Sequence, residues 1–77
     1  MPRLPVVSGN ELVRLLEASG FRIVRQKGSH VSLQKGKLRA VVPLHDELAK
    51  GTLLGILKQC GLSKEDLIHM IEEKAHR

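Results

Sequence analysis

Residues 21–43 read FRIVRQKGSHVSLQKGKLRAVVP. They divide into three runs of alternating and β-branched residues, Phe21 to Lys27, His30 to Lys35 and Leu38 to Pro43. Gly28-Ser29 and Gly36-Lys37 separate the runs. A glycine in the first position of a two-residue loop suits a type II′ hairpin turn. The expectation is a three-stranded antiparallel meander. With Gly36-Lys37 as the central pair of its hairpin, Lys35 faces Leu38, Gln34 faces Arg39, Leu33 faces Ala40, Ser32 faces Val41, Val31 faces Val42 and His30 faces Pro43. Direct partners share a face. One face then carries Val31, Leu33, Ala40 and Val42, and the other His30, Ser32, Gln34, Arg39 and Val41. A slip of one residue would mix apolar and polar sets, so the pattern selects this register. The first run is less regular: Phe21 and Ile23 alternate with Arg22, but Val24 interrupts the alternation.

Helical signals flank the meander. Ser8 and Glu11 have capping-box spacing, Leu12, Val13, Leu15 and Leu16 form an apolar stripe, and Gly20 supplies a stop. These predict a helix from Gly9 to Ser19. After the third run, LHDELAKGT reads as a loop, with Thr52 as the N-cap of a second helix carrying Leu53, Leu54, Ile56 and Leu57. Gly55 weakens that helix by about 1 kcal/mol, and Gly61 ends it. Ser63 and Asp66 open a third helix through Leu67, Ile68, Met70 and Ile71. The expected order is α-β-β-β-α-α, an α+β fold with the helices on one face of an antiparallel sheet and the other face open. It resembles a double-stranded-RNA-binding domain with an additional C-terminal helix, a likeness of fold that assigns no function.

The chain has 77 residues, 42% of them hydrophobic, enough for one small domain spanning residues 1–77 with its core at about 8–71. A fold this small without staples lies near the limit of independent stability. Phe21 is the one aromatic residue, which argues against a stacking platform for bases. A lone cysteine, Cys60, excludes a disulfide framework and a cysteine-based zinc site, and reads as a buried apolar residue. No stretch has the length of a signal peptide's apolar region or a membrane span, so a cytoplasmic protein without membrane partners is expected.

The net charge is +5, and it is concentrated. Arg22, Arg25, Lys27, Lys35, Lys37 and Arg39 lie between residues 22 and 39 with no acid among them, whereas residues 61–77 are slightly acidic. Such a segment attracts phosphates, although a solvated face serving only solubility has the same composition. Within it His30 falls on the open, polar face. His45 lies two residues past Pro43. If the strand runs on, His45 is a diagonal neighbour of His30, about 7–8 Å away, and the two imidazoles span a phosphodiester; Pro43 can instead end the ladder. The sequence has no Walker loop, Rossmann fingerprint, carboxylate cluster or metal-ligand motif, and no cofactor is expected. Imidazole, ammonium and guanidinium groups suit metal-free RNA cleavage, in which histidine moves protons and cations stabilise the phosphorane-like transition state. Taken singly, both histidines also fit plain surface residues, and His69 and His76 read as helix surface and tail. Lys50-Gly51-Thr52 opens a helix, and its amides suit either a phosphate or an ordinary cap.

SGNELVRLLEASGF (residues 8–21), QKGSHVSL (26–33) and VVPLHDELAKGTLLGILKQCGLS (41–63) together resemble the HicA (YcfA-like) toxin family of toxin–antitoxin systems, over about residues 8–71. The most specific parts are the GSH before the second strand and the P-x-H … K-G-T-L … I-L-K-Q-x-G block. The resemblance implies an mRNA interferase of double-stranded-RNA-binding-like fold that arrests growth, belonging to a type II toxin–antitoxin system. It implies a catalytic histidine in GSH, here His30, and a HicB-type antitoxin that masks the site. His45 matches the P-x-H histidine and is a candidate second acid/base group. Arg25, Lys27, Gly28, Ser29, Lys35, Lys37, Arg39, Lys50, Gly51 and Thr52 are the expected RNA contacts, and the free toxin is expected to be a monomer. Two other readings fit the composition: a non-catalytic RNA-binding module of the same fold, and a protein-interaction subunit whose charge is incidental.

Overall fold

The computed structural model describes residues 3–75. Its sheet is antiparallel and open, in the order β1 (Arg22–Lys27), β2 (His30–Lys35), β3 (Leu38–Pro43). β2 and β3 pair from His30 opposite Pro43 to Lys35 opposite Leu38, the register that the apolar pattern requires. Both hairpins turn on a glycine of positive φ, Gly28 at 57° and Gly36 at 59°. No described non-glycine residue has positive φ. Ser29 and Lys37 are therefore in ordinary backbone regions, which fits type II′ and excludes type I′.

Helices cover one face of this sheet. α1 (Gly9–Ala18) and α2 (Lys50–Gln59) lie against β3, and α3 (Lys64–Ala75) packs on α1 and α2. The buried core takes Leu12 and Leu16 from α1, Leu33 from β2, Val42 from β3, Leu53 and Leu57 from α2, and Leu67 from α3. Each of these side chains contributes about 1.5–3 kcal/mol by leaving water. Phe21 is buried just before β1, but every residue of β1 itself is exposed. β1 is an edge strand by the sheet order, held by its ladder to β2, by the Phe21 anchor and by contact with α1.

Two helices start on capping boxes. Ser8 Oγ accepts the Glu11 N–H and Glu11 Oε1 accepts the Ser8 N–H, each at 3.0 Å. Ser63 and Asp66 make the same pair of bonds at 3.0 and 2.8 Å. α1 ends at Ala18, with Ser19 as its C-cap, one residue short of the expected end. α2 departs more from expectation. It begins at Lys50 with Ala49 as N-cap, so Thr52 sits in the first turn and caps nothing. The cause is tertiary: Leu48 is buried, and its N–H donates to Val7 O at 2.9 Å, which fixes the chain's entry before Thr52 is reached.

The segment between β3 and α2 is pinned along its length. Leu44 N–H donates to Ser29 O at 2.7 Å, and Gly9 N–H donates to His45 O at 2.9 Å. The start of α1 comes so close that a Cβ on Gly9 would overlap Pro43 O and lie 2.7 Å from Leu44 Cα. No described helix is long and apolar enough to cross a membrane.

Candidate functional site

Register arranges the open face as three rows across the sheet. Arg22, Gln34 and Arg39 form one, Arg25, Ser32 and Val41 the next, and Lys27 and His30 the last, where the residue opposite His30 on β3, Pro43, is buried. His30 and the four cations are exposed, Ser32 and Gln34 are half-buried, and Val41 is an exposed apolar residue among them. No acid occurs anywhere between Glu17 and Asp46. Among the described residues the one ion pair is His69 with Glu72, at 3.8 Å on α3, so none of the sheet cations is neutralised by a carboxylate. Unpaired cations on one flat surface sum to a field that draws in a polyanion.

The last row holds the face's one histidine. His30 is the first residue of β2, beside the Gly28-Ser29 turn, with Lys27 opposite it on β1 and Pro43 opposite it on β3. Gly28 permits the turn through its positive φ, and an added Cβ there would meet nothing within 4 Å. The turn is therefore open to a ligand's backbone. Pro43 does end the strand, but the pairing outlasts it by one bond: Leu44 N–H to Ser29 O continues the β2–β3 register by one residue. His45 follows directly. It is exposed, and its carbonyl is held by Gly9 N–H. The backbone of His45 is thus fixed next to the end of the ladder that carries His30.

Two expected contacts stand differently. Lys35 has the parity of Val31 and Leu33 and lies on the helix side. Its Nζ donates to Ser19 O at 2.7 Å and sits 5.8 Å from the centre of the Phe21 ring. It closes the end of α1 and is not part of the open face. Lys37 lies in the β2–β3 turn at the far end of the sheet from His30. The first-turn residues Lys50, Gly51 and Thr52 are all exposed, and Ala49 before them offers no side-chain oxygen to their amides. One residue was missed by sequence reasoning: Arg22 joins the open face. The signal was present in the adjacent Ile23-Val24 pair, where two apolar residues in succession break the strand's alternation.

Elsewhere, Cys60 is buried, and burial pushes its thiol up. No described group of three or more His, Cys, Asp or Glu side chains could hold a metal ion. His76 lies outside the described residues. A groove of about 790 Å³ opens between α1 and α3, lined by Arg14, Leu15, Asp66, His69 and Met70 among others, and no strand residue borders it. The face bearing His30 is instead a surface on which an extended chain can lie.

Against known proteins, a family model described as the HicA toxin of bacterial toxin-antitoxin matches residues 9–62, more than half of the chain. Neither the curated proteins nor the solved structures gave a match.

Proposed function

The chain belongs to the HicA toxin family of bacterial toxin–antitoxin systems, and from that premise we propose that it is a metal-independent mRNA interferase acting in the cytoplasm through His30. The observation that carries this reading is the position of His30: exposed beside Lys27 on an acid-free basic face, next to an open glycine turn. An imidazole removes the proton from the ribose 2′-OH as O2′ attacks phosphorus. The P–O5′ bond breaks, and the leaving O5′ takes up a proton. The products are a 2′,3′-cyclic phosphate and a 5′-OH. His30 moves one of these protons, and His45, on its pinned segment, is the partner group for the other. Lys27 and Arg25 stabilise the charge that grows on the phosphoryl oxygens. Arg39 and the Gly28-Ser29 turn contact the strand beyond the cut, and Lys37 and the Lys50-Gly51-Thr52 amides offer further phosphate contacts. A HicB-type antitoxin inhibits by covering this face, for which an acidic surface is the complement.

The test is cleavage of mRNA with EDTA present, comparing wild type with His30→Ala, alongside growth after induction. Wild type should cut RNA and stop growth, and a folded His30→Ala protein should do neither. Cutting that survives the substitution moves the chemistry to His45. RNA that wild type binds and leaves intact identifies a binding module without catalysis.

A further inference from the structure

Counting back from Lys27 on the open face, strict alternation would put Arg25 and Ile23 on that face and turn Arg22 toward the helices. β1 does not keep this count. Val24 is an extra residue between Ile23, opposite Leu33, and Arg25, opposite Ser32. Such a bulge reverses the parity of what precedes it. Ile23 returns to the helix side and Arg22 comes to stand opposite Gln34 on the open face. Gln34 faces Arg39 on its other side. Two arginines therefore flank one neutral amide, two strand spacings or about 9.5 Å apart. Neither has an ion-pair partner among the described residues. Gln34 Nε2 donates to Gly36 O at 3.0 Å, which holds the amide between them. Two like charges in one row, with no acid nearby, sum to a local field that favours an anion.

We infer that the bulge at Val24 builds an anion subsite, in which Arg22, with Gln34 and Arg39, holds a phosphate of the RNA strand other than the one being cut. This rests on the reading of the face as an RNA-cleaving surface. Gln34 is four residues from His30 along β2, about 13 Å, too far to serve the reacting phosphate. A guanidinium takes a phosphate through two parallel N–H bonds, which fixes the strand's register over His30. A remote phosphate is held alike before and during reaction, so the contact acts on KM and leaves kcat unchanged.

The experiment measures steady-state cleavage of a short single-stranded RNA that wild type cuts, and binding of the same RNA by His30→Ala protein as salt is varied. Arg22→Ala should raise KM about tenfold, leave kcat within about twofold, and reduce the salt slope of binding by about 1. The double exchange Arg22→Ile with Ile23→Arg keeps the net charge but moves the guanidinium to the helix side, and should lose as much. Arg14→Ala, which removes the same charge from α1, should change neither constant. Circular dichroism confirms that each variant is folded. Wild-type KM in the exchanged variant overturns the subsite in favour of net charge alone. A fall in kcat at unchanged KM overturns it in favour of a role at the reacting phosphate, and unchanged kinetics in Arg22→Ala overturn it outright. If wild type binds RNA without cutting it, the cleavage reading fails, while the loss of binding expected for Arg22→Ala still decides the subsite.

Discussion

Lys35 and Arg25 show how little residue type says about role. Both are exposed cations in one basic segment, yet parity puts Arg25 beside Ser32 on the open face and Lys35 on the helix side. Lys35 reaches the carbonyl of Ser19, at the end of a helix where carbonyls lack partners and positive charge is favourable. Lys35→Met should therefore lower thermal stability, by about 0.5–1 kcal/mol, and change RNA affinity by less than about twofold. Arg25→Ala should do the reverse, weakening RNA binding severalfold with stability nearly unchanged. Thermal melts and RNA titrations on the two proteins check this, and equal losses of affinity would return Lys35 to the binding face. His30 was legible as a strand residue on the polar face because β2 and β3 are joined by a two-residue turn. Lys35's contact was not, since it depends on where a helix sixteen residues earlier in the chain comes to rest.

At the scale of elements, two glycines in helices bear opposite loads. Gly9 begins α1 against the backbone of Pro43 and Leu44, where a Cβ has no room. Gly55 lies in the middle of α2, exposed, with nothing within 4 Å of an added Cβ. Gly55→Ala should stabilise the protein by about 0.5–1 kcal/mol through helix propensity alone. Gly9→Ala should destabilise it by about 1–3 kcal/mol, as over-packing does, and should weaken amide-exchange protection at Leu44 and at position 9 together. Denaturant titration of both variants gives the signs. A neutral Gly9→Ala would mean that the segment carrying His45 yields easily and is not held for catalysis by α1. Sequence marked both positions as glycine in a helix and could not separate them. The difference is one of neighbours.

The two capping boxes make the stability of the fold depend on pH in the acid range. Backbone N–H donation from Ser8, followed by the Ser8 side chain, holds the Glu11 carboxyl below its ordinary value. Ser63 does the same for Asp66. A carboxyl whose folded pKa is depressed stabilises the fold fully above its unfolded pKa, about 4.3 for Glu and about 3.9 for Asp. That stabilisation is lost as pH falls through the lower, folded values. Wild type should thus melt at a higher temperature than a Glu11→Ala, Asp66→Ala double variant at neutral pH, with the gap closing on acidification. A gap independent of pH would assign the effect to helix propensity. The proposed RNA binding carries a second whole-molecule prediction. With the sheet cations unpaired, affinity should fall steeply with salt.

Local chemistry was enough to determine the element order, both serine-led capping boxes, the glycine turns and the β2–β3 register, because each depends on residues a few positions apart and on the two-residue period of a strand. The face that bears His30 follows from that register. The tertiary structure decided what depends on distant neighbours. It set the start of α2 at Lys50, through a buried Leu48 tied to Val7. It held the segment bearing His45 against the first turn of α1. It turned Lys35 to the helices, and it placed Arg22 on the open face by a bulge in an edge strand whose residues are all exposed. At such an edge burial cannot enforce alternation, so the backbone is free to take up one extra residue, and the pairing partner alone determines which way the side chains face.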